Sequence, residues 1–211
     1  MTVDRRSLVL ALATAALAGP ALAQGALASA DQQLVQRATA YLEGLAEAKA
    51  RFVQTDARGQ TTQGVVYLKR PGKARFAYDP PSGLLVVSDG STVSVADSRL
   101  KTFDRYPLGA TPLSLFLARQ IRLDRGVQVT SVSRAADGFT ITARDGRRQT
   151  AGQIALTFAE SPLRLTGWTV TDAQGRLTRV QLEGLAAAPG LDADLFELKD
   201  PRPRAVGRGK M

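Results

Sequence analysis

The chain has 211 residues, a formal charge of +9, and neither cysteine nor histidine. Those two absences exclude disulfides, thiolate metal sites, thiol nucleophiles and every catalytic device built on imidazole. At 44% hydrophobic the chain can bury the core of one domain or a small pair. Its positive charges lack the aromatic interleaving of a single-strand binder, so nucleic acid is set aside as a partner.

The N-terminus reads as an export signal. Arg5 and Arg6 form a basic n-region, Leu8 to Ala18 an apolar h-region, and Ala21-Leu22-Ala23 an A-x-A cleavage site. The h-region is too short to span a bilayer. A signal peptide over 1–23 is predicted, with the mature chain starting at Gln24. Arg5-Arg6 also fits a twin-arginine signal. Asp4 and the missing downstream phenylalanine favour ordinary secretion, and both routes stay open. No cysteine follows the h-region, so the chain is not itself lipid-anchored, and no second hydrophobic span follows. The expected product is soluble and periplasmic, a single domain over 24–211 with a basic tail over 199–211.

Ser29 and Gln32 form a capping box, and Leu34, Ala38, Tyr41, Leu42 and Leu45 recur at helical spacing, predicting an amphipathic helix ending near Ala48. Strands then follow at hairpin rhythm: Arg51 to Thr55, Thr61 to Arg70, Arg75 to Tyr78, Leu84 to Val87, Thr92 to Ala96 and Leu100 to Tyr106. Asp56 to Gly59, Pro71-Gly72, Pro80-Pro81, Asp89-Gly90 and Asp97-Ser98 punctuate them. In the second strand Val66, Leu68 and Arg70 share one face by the two-residue period. An apolar face thus ends in an arginine. Buried, Arg70 needs acceptors; free carbonyls at a helix end are candidates, and so is solvent at a strand end.

Thr111-Pro112 reads as a helix start, with Thr111 as cap. Leu113, Leu115, Phe116, Leu117 and Ile121 follow, apolar almost all round, and fit either a core plug or a lid over an apolar cavity. The meander resumes at Val127 to Arg134, Phe139 to Ala143, Gln153 to Ala159, Leu163 to Thr171 and Arg176 to Glu183. Trp168, the one tryptophan, lies in a strand apolar on both faces. A helical turn over Asp192 to Leu195 precedes Phe196 and Leu198. The fold class predicted is mainly β (α+β): an incomplete antiparallel β-barrel of about eleven strands, with a helical lid over an apolar cavity. Asp79, Asp89, Asp97, Asp137, Asp145 and Asp172 fall at predicted turns, so turn-forming is preferred to a carboxylate active site, and the chain reads as no enzyme.

Phe52-Val53-Gln54, Gly64, Leu68-Lys69-Arg70-Pro71, Arg75-Phe76-Ala77-Tyr78, Val87-Ser88-Asp89-Gly90 and Thr111-Pro112-Leu113 resemble the outer-membrane lipoprotein carrier protein family. The resemblance runs from about Leu34 to Pro201. It implies an unclosed barrel whose apolar space shields the acyl chains of lipoproteins. It further implies cargo received from an inner-membrane ABC transporter and passed to an outer-membrane receptor or the outer membrane itself. The family's barrel arginine, which bonds to the lid, falls at Arg70. Three residues after Pro71, where relatives are often bulky, stands Ala74.

The expected acyl-binding wall is Phe52, Val66, Leu68, Phe76, Leu84 and Val86 from the sheet, with Leu42, Leu45, Leu113, Phe116 and Leu117 from the lid. The carrier is expected to be a monomer without cofactor or metal. The alternative is a periplasmic regulator that senses lipids or lipoproteins on the same fold. It would be expected to carry a second domain, for which little chain remains after Phe196.

Overall fold

The computed structural model describes residues 27–117, 127–145 and 152–200. The predicted signal segment with Gln24 as mature start, Ile121 and the basic tail beyond Asp200 lie outside the described residues.

Helix α1 (Ser29–Gly44) leads into β1 (Glu47–Thr55), β2 (Thr61–Lys69), β3 (Lys73–Tyr78), β4 (Leu84–Asp89), β5 (Thr92–Asp97) and β6 (Thr102–Pro107). A short 3-10 turn (Leu108–Ala110) and α2 (Leu113–Leu117) follow. The chain returns as β7 (Val127–Arg134), β8 (Gly138–Asp145), β9 (Gln153–Glu160), β10 (Leu163–Thr171) and β11 (Leu177–Ala187), then a 3-10 turn (Ala193–Phe196). All eleven strands form one antiparallel sheet in the order β6-β5-β4-β3-β2-β1-β11-β10-β9-β8-β7. Two meanders are joined where β1 pairs with β11, and β6 and β7 are left as edges. The barrel is therefore unclosed.

Alternation sorts the side chains. On the inner face Ala50, Val66, Phe76, Val86 and Val95 lie opposite one another across five strands. In the other half Ile141, Leu156, Trp168 and Val180 do the same. Phe52, Val66 and Leu68 are fully buried, each contributing roughly 1.5–3 kcal/mol by leaving water. A bulge between Leu165 and Gly167 settles the orientation of Trp168. The extra residue shifts the alternation, so Leu165 and Trp168 both point into the core. Leu34, Ala38 and Leu42 of α1 and Leu115, Phe116 and Leu117 of α2 complete that core.

Local expectations fail at three ends. Helix α1 has Ala28 at its cap with no side-chain bond, and Gln32 Nε2 donates instead to the Leu27 carbonyl. It stops at Gly44, so Leu45 is outside it and Ala48 belongs to β1. The inward alternation of Ala48, Ala50 and Phe52 outweighs helical spacing there. The Thr111 hydroxyl donates back to the Leu108 carbonyl, 2.8 Å, because the 3-10 turn before it already occupies the cap position. Ala74 is buried in the inner face, so a bulkier residue there would press on the core rather than reach solvent.

Candidate functional site: a covered apolar cavity

The β2–β3 turn, Arg70-Pro71-Gly72, holds both helices. Its conformation follows from Gly72, at φ +78°, whose Cα position leaves 2.6 Å between an added Cβ and the Gly90 Cα. Only glycine fits both demands. From this turn the Arg70 amide donates to the Ala46 carbonyl, 2.7 Å, and the Gly72 amide to the Leu117 carbonyl at the end of α2, 2.7 Å. The Arg70 guanidinium donates through Nη1 to the Leu42 carbonyl in the last turn of α1. The same carbonyl also accepts from the Leu45 amide, 3.2 Å, so Arg70 adds a second donor to the end of the helix. Burial pushes the Arg70 pKa below the usual arginine value, and the negative charge of Glu43 partly offsets the shift. Buried Ser88 donates to the Gly72 carbonyl at 2.6 Å and fixes the turn from beneath.

At the other end of the sheet a cavity of about 260 Å³ lies between the inner face and the start of α2. Phe76, Val86, Leu113, Trp168, Val170 and Val180 give it apolar walls. Of the residues expected from sequence to form the wall, Phe76, Val86 and Leu113 line this space. Leu42, Phe52, Val66, Leu68, Phe116 and Leu117 are packed solidly into the core around it. Leu45 is half-buried against that core. Leu84 shares the inner face but stands at its rim, opposite Asp97.

Sequence reasoning missed the whole second half of the wall, from Trp168 to Val180, and, among the polar members, Gln54 and Tyr78. The signal for the latter was present: Gln54 follows Phe52 by two residues and Tyr78 follows Phe76 by two. Tyr78 donates to Gln54 Oε1 at 2.8 Å across the gap left by Gly64. Burial pushes the Tyr78 phenol up to about 12 despite that bond, so it stays a neutral donor.

Aromatic contacts tie wall to cover. Phe116 of α2 stacks on Trp168 at 5.4 Å and 28°. Trp168 meets Phe76 edge-on at 6.1 Å, and Phe76 meets Phe52 at 5.6 Å. Asp89, Asp97 and Asp172 accept backbone amides of their own turns. Asp79 instead pairs with Arg51, which holds its carboxyl below the usual range. Among the described residues no three acidic side chains cluster to hold a metal, and no described helix is long and apolar enough to cross a membrane.

The family model described as outer membrane lipoprotein carrier protein LolA matches residues 43–199. The chain belongs to that family. The outer-membrane lipoprotein carrier protein of Azotobacter vinelandii is 27% identical over 184 residues, 82% of this chain and 87% of its own. That of Chromohalobacter salexigens is 29% identical over 200 residues, 90% of this chain and 94% of its own. Among solved structures, a DUF1329 family protein from Desulfovibrio piger aligns with a TM-score of 0.52 at 12% identity, covering 80% of this chain and 96% of that one. A LolA superfamily protein from Nitrosomonas europaea aligns with a TM-score of 0.46 at 13% identity, covering 77% and 97%. The first of these structural likenesses is one of fold alone. The Lys69-Arg70-Pro71 stretch, which carries the resemblance in sequence, lies at the turn that holds both helices.

Proposed function

We propose that this chain is a periplasmic carrier that shields the acyl chains of lipoproteins between the inner and the outer membrane. It takes its cargo from an inner-membrane ABC transporter and gives it to an outer-membrane receptor or to the outer membrane directly. The observation that carries this reading is the apolar cavity under a small helical cover, in a chain of the lipoprotein carrier family. The family name supports lipoproteins as the cargo, and the cavity supports the inner wall as the surface that meets their chains. A buried acyl chain gains roughly 0.8 kcal/mol per methylene, so several chains cannot cross water uncovered. The acyl-binding surface is the inner wall, Phe52, Val66, Leu68, Phe76, Leu84 and Val86, together with Leu42, Leu45, Leu113, Phe116 and Leu117 from the helices. Arg70 is the latch that holds the empty form closed.

The carrier acts by binding alone and performs no covalent step. The decisive test is purification from the periplasm followed by mass spectrometry of what comes with it. Acylated lipoproteins are expected. A preparation without acylated molecules, which also fails to bind a fluorescent fatty acid, would overturn the reading.

A further inference from the structure

The cavity walls are apolar except where the space meets the start of α2. There Gln54, Tyr78, Thr111 and Thr178 all border the space. Two of these groups are already committed as donors. The Tyr78 hydroxyl donates to Gln54 Oε1, 2.8 Å, and the Thr111 hydroxyl to the Leu108 carbonyl, 2.8 Å. Gln54 uses its oxygen in the first bond, and among the described residues its amide nitrogen donates to none. A carboxamide nitrogen carries two hydrogens. Beside the Thr178 hydroxyl, what the site offers an incoming molecule is therefore a pair of N–H donors on an apolar wall, with the amide held in orientation by Tyr78.

The placement is built by the sheet. Gln54 lies on the inner face opposite Val180 and Thr62, and Tyr78 lies opposite Gly64 on the next strand pair. A side chain at position 64 would stand between them. Its Cβ would come within 2.2 Å of the Ala77 carbonyl oxygen and 2.9 Å of the Phe52 ring. Phe52 closes on Tyr78 edge-on at 5.0 Å and fixes the phenol from the other side.

We infer that Gln54, oriented by Tyr78, is a subsite for a carbonyl oxygen of the bound lipid: an ester or amide at the head of the acyl chains. This inference rests on the carrier reading and adds a chemical preference to it. A chain seated against Phe76, Val86 and Trp168 brings its head within reach of Gln54, which borders the same space. The Gln54 amide is only part-buried in the empty form; a lipid that covers it takes its N–H groups out of water, so the site favours lipids that bring an acceptor. A hydrocarbon or an ether of equal length fills the cavity but presents no carbonyl oxygen. The subsite gives the carrier a means of telling acylated cargo from apolar material at large.

The test uses the full chain loaded with a fluorescent fatty acid. Displacement is compared for 1,2-dioctanoylglycerol and 1,2-dioctylglycerol, a diester and a diether of matched length. The diester should displace the probe at about two- to tenfold lower concentration, the span of a typical net hydrogen bond. Gln54→Leu should bring the two lipids to parity by weakening the diester alone. Gln54→Glu keeps the shape but offers only acceptors at neutral pH, so it should also abolish the preference. It serves where the leucine variant does not fold. Equal displacement by both lipids in the unaltered chain, or a preference that survives in Gln54→Glu, overturns the carbonyl site while the carrier reading stands. Failure of both lipids to displace the probe overturns the carrier reading and the subsite with it.

Discussion

Arg70 stands where an apolar strand face runs out, and its guanidinium donates to the Leu42 carbonyl in the last turn of α1, which the Leu45 amide also reaches. On the carrier reading that bond exists in the empty, closed form and competes with cargo. A hydrogen bond to a charged group contributes roughly 1.5–3 kcal/mol, a bias of about 10- to 150-fold toward closure. Arg70→Leu should therefore accept cargo but release it slowly. Arg70→Lys should restore release only in part, because an ammonium cannot reproduce the planar fork. Transfer from loaded carrier to acceptor vesicles measures this, and unimpaired transfer by Arg70→Leu would show that the bond serves the fold alone. Gly64 makes a second single-residue prediction. An added methyl meets the Ala77 carbonyl at 2.2 Å, which neither strand can relieve without losing its ladder. Gly64→Ala should cost about 1–3 kcal/mol, seen as a lowered urea midpoint.

Among the elements, the segment after β11 crosses the outer face of the sheet as a strap. Its Leu191 amide donates to Glu47 Oε2 at 2.9 Å, and Lys69 Nζ donates to the Leu191 carbonyl at 2.7 Å. Arg75 Nη1 reaches the Leu195 carbonyl at 3.0 Å, and Phe196 is fully buried beneath. Lys69, first, and the Leu191 amide, second, hold the Glu47 carboxyl below its usual range. A folded-state value below the unfolded one, about 4.3, means that the contribution is complete above that pH and is lost as pH falls through the lower folded value. The protection factor of the Leu191 amide should accordingly fall in that acid window, and Glu47→Gln should flatten the profile. A wild-type profile that stays flat down to pH 3 would remove Glu47 from the account. The strap also shows where sequence stopped informing. The strands were legible because Val66 and Leu68, or Phe76 and Tyr78, alternate within one segment. A helical turn over Asp192 to Leu195 was legible in the sequence, and the Asp192 side chain caps it by accepting from the Asp194 amide. That it lies over Lys69 and Arg75, more than a hundred residues earlier, is a matter of long-range register that no local pattern carries. Trp168 was illegible for another reason: one bulge at Leu165 to Gly167 shifts its parity. The cavity wall was half legible, since apolar residues were sought and Gln54 was passed over although it shares the face of Phe52.

For the molecule as a whole, the carrier reading makes the eleven-stranded ladder the fixed part and its cover the part that moves. Helix α2 has five residues, too few to persist without its contacts. The space beneath it, about 260 Å³, falls short of the roughly 300–1,000 Å³ that even drug-sized ligands occupy. On the carrier reading, loading therefore lifts α2. Taking Phe116 and Leu117 out of the core costs about 2–5 kcal/mol each. One acyl chain of about fourteen methylenes returns on the order of 11 kcal/mol. A single chain thus roughly balances the opening, whereas two or three exceed it, and cargo with several chains is favoured. Two reporters are built in. The Gly72 amide is held by the Leu117 carbonyl of α2 at 2.7 Å, and Trp168, the one tryptophan, stacks on Phe116 of the same helix. With saturating diacyl lipid the Gly72 amide should exchange at least tenfold faster, and Trp168 emission should shift in step with occupancy. The ladder amides of β3, such as Phe76, should keep their protection. A single-chain fatty acid at the same concentration should produce a much smaller change in both reporters. If Gly72 stays protected in a fully loaded carrier, the chains enter without moving α2, and the part that yields is some other piece of the cover.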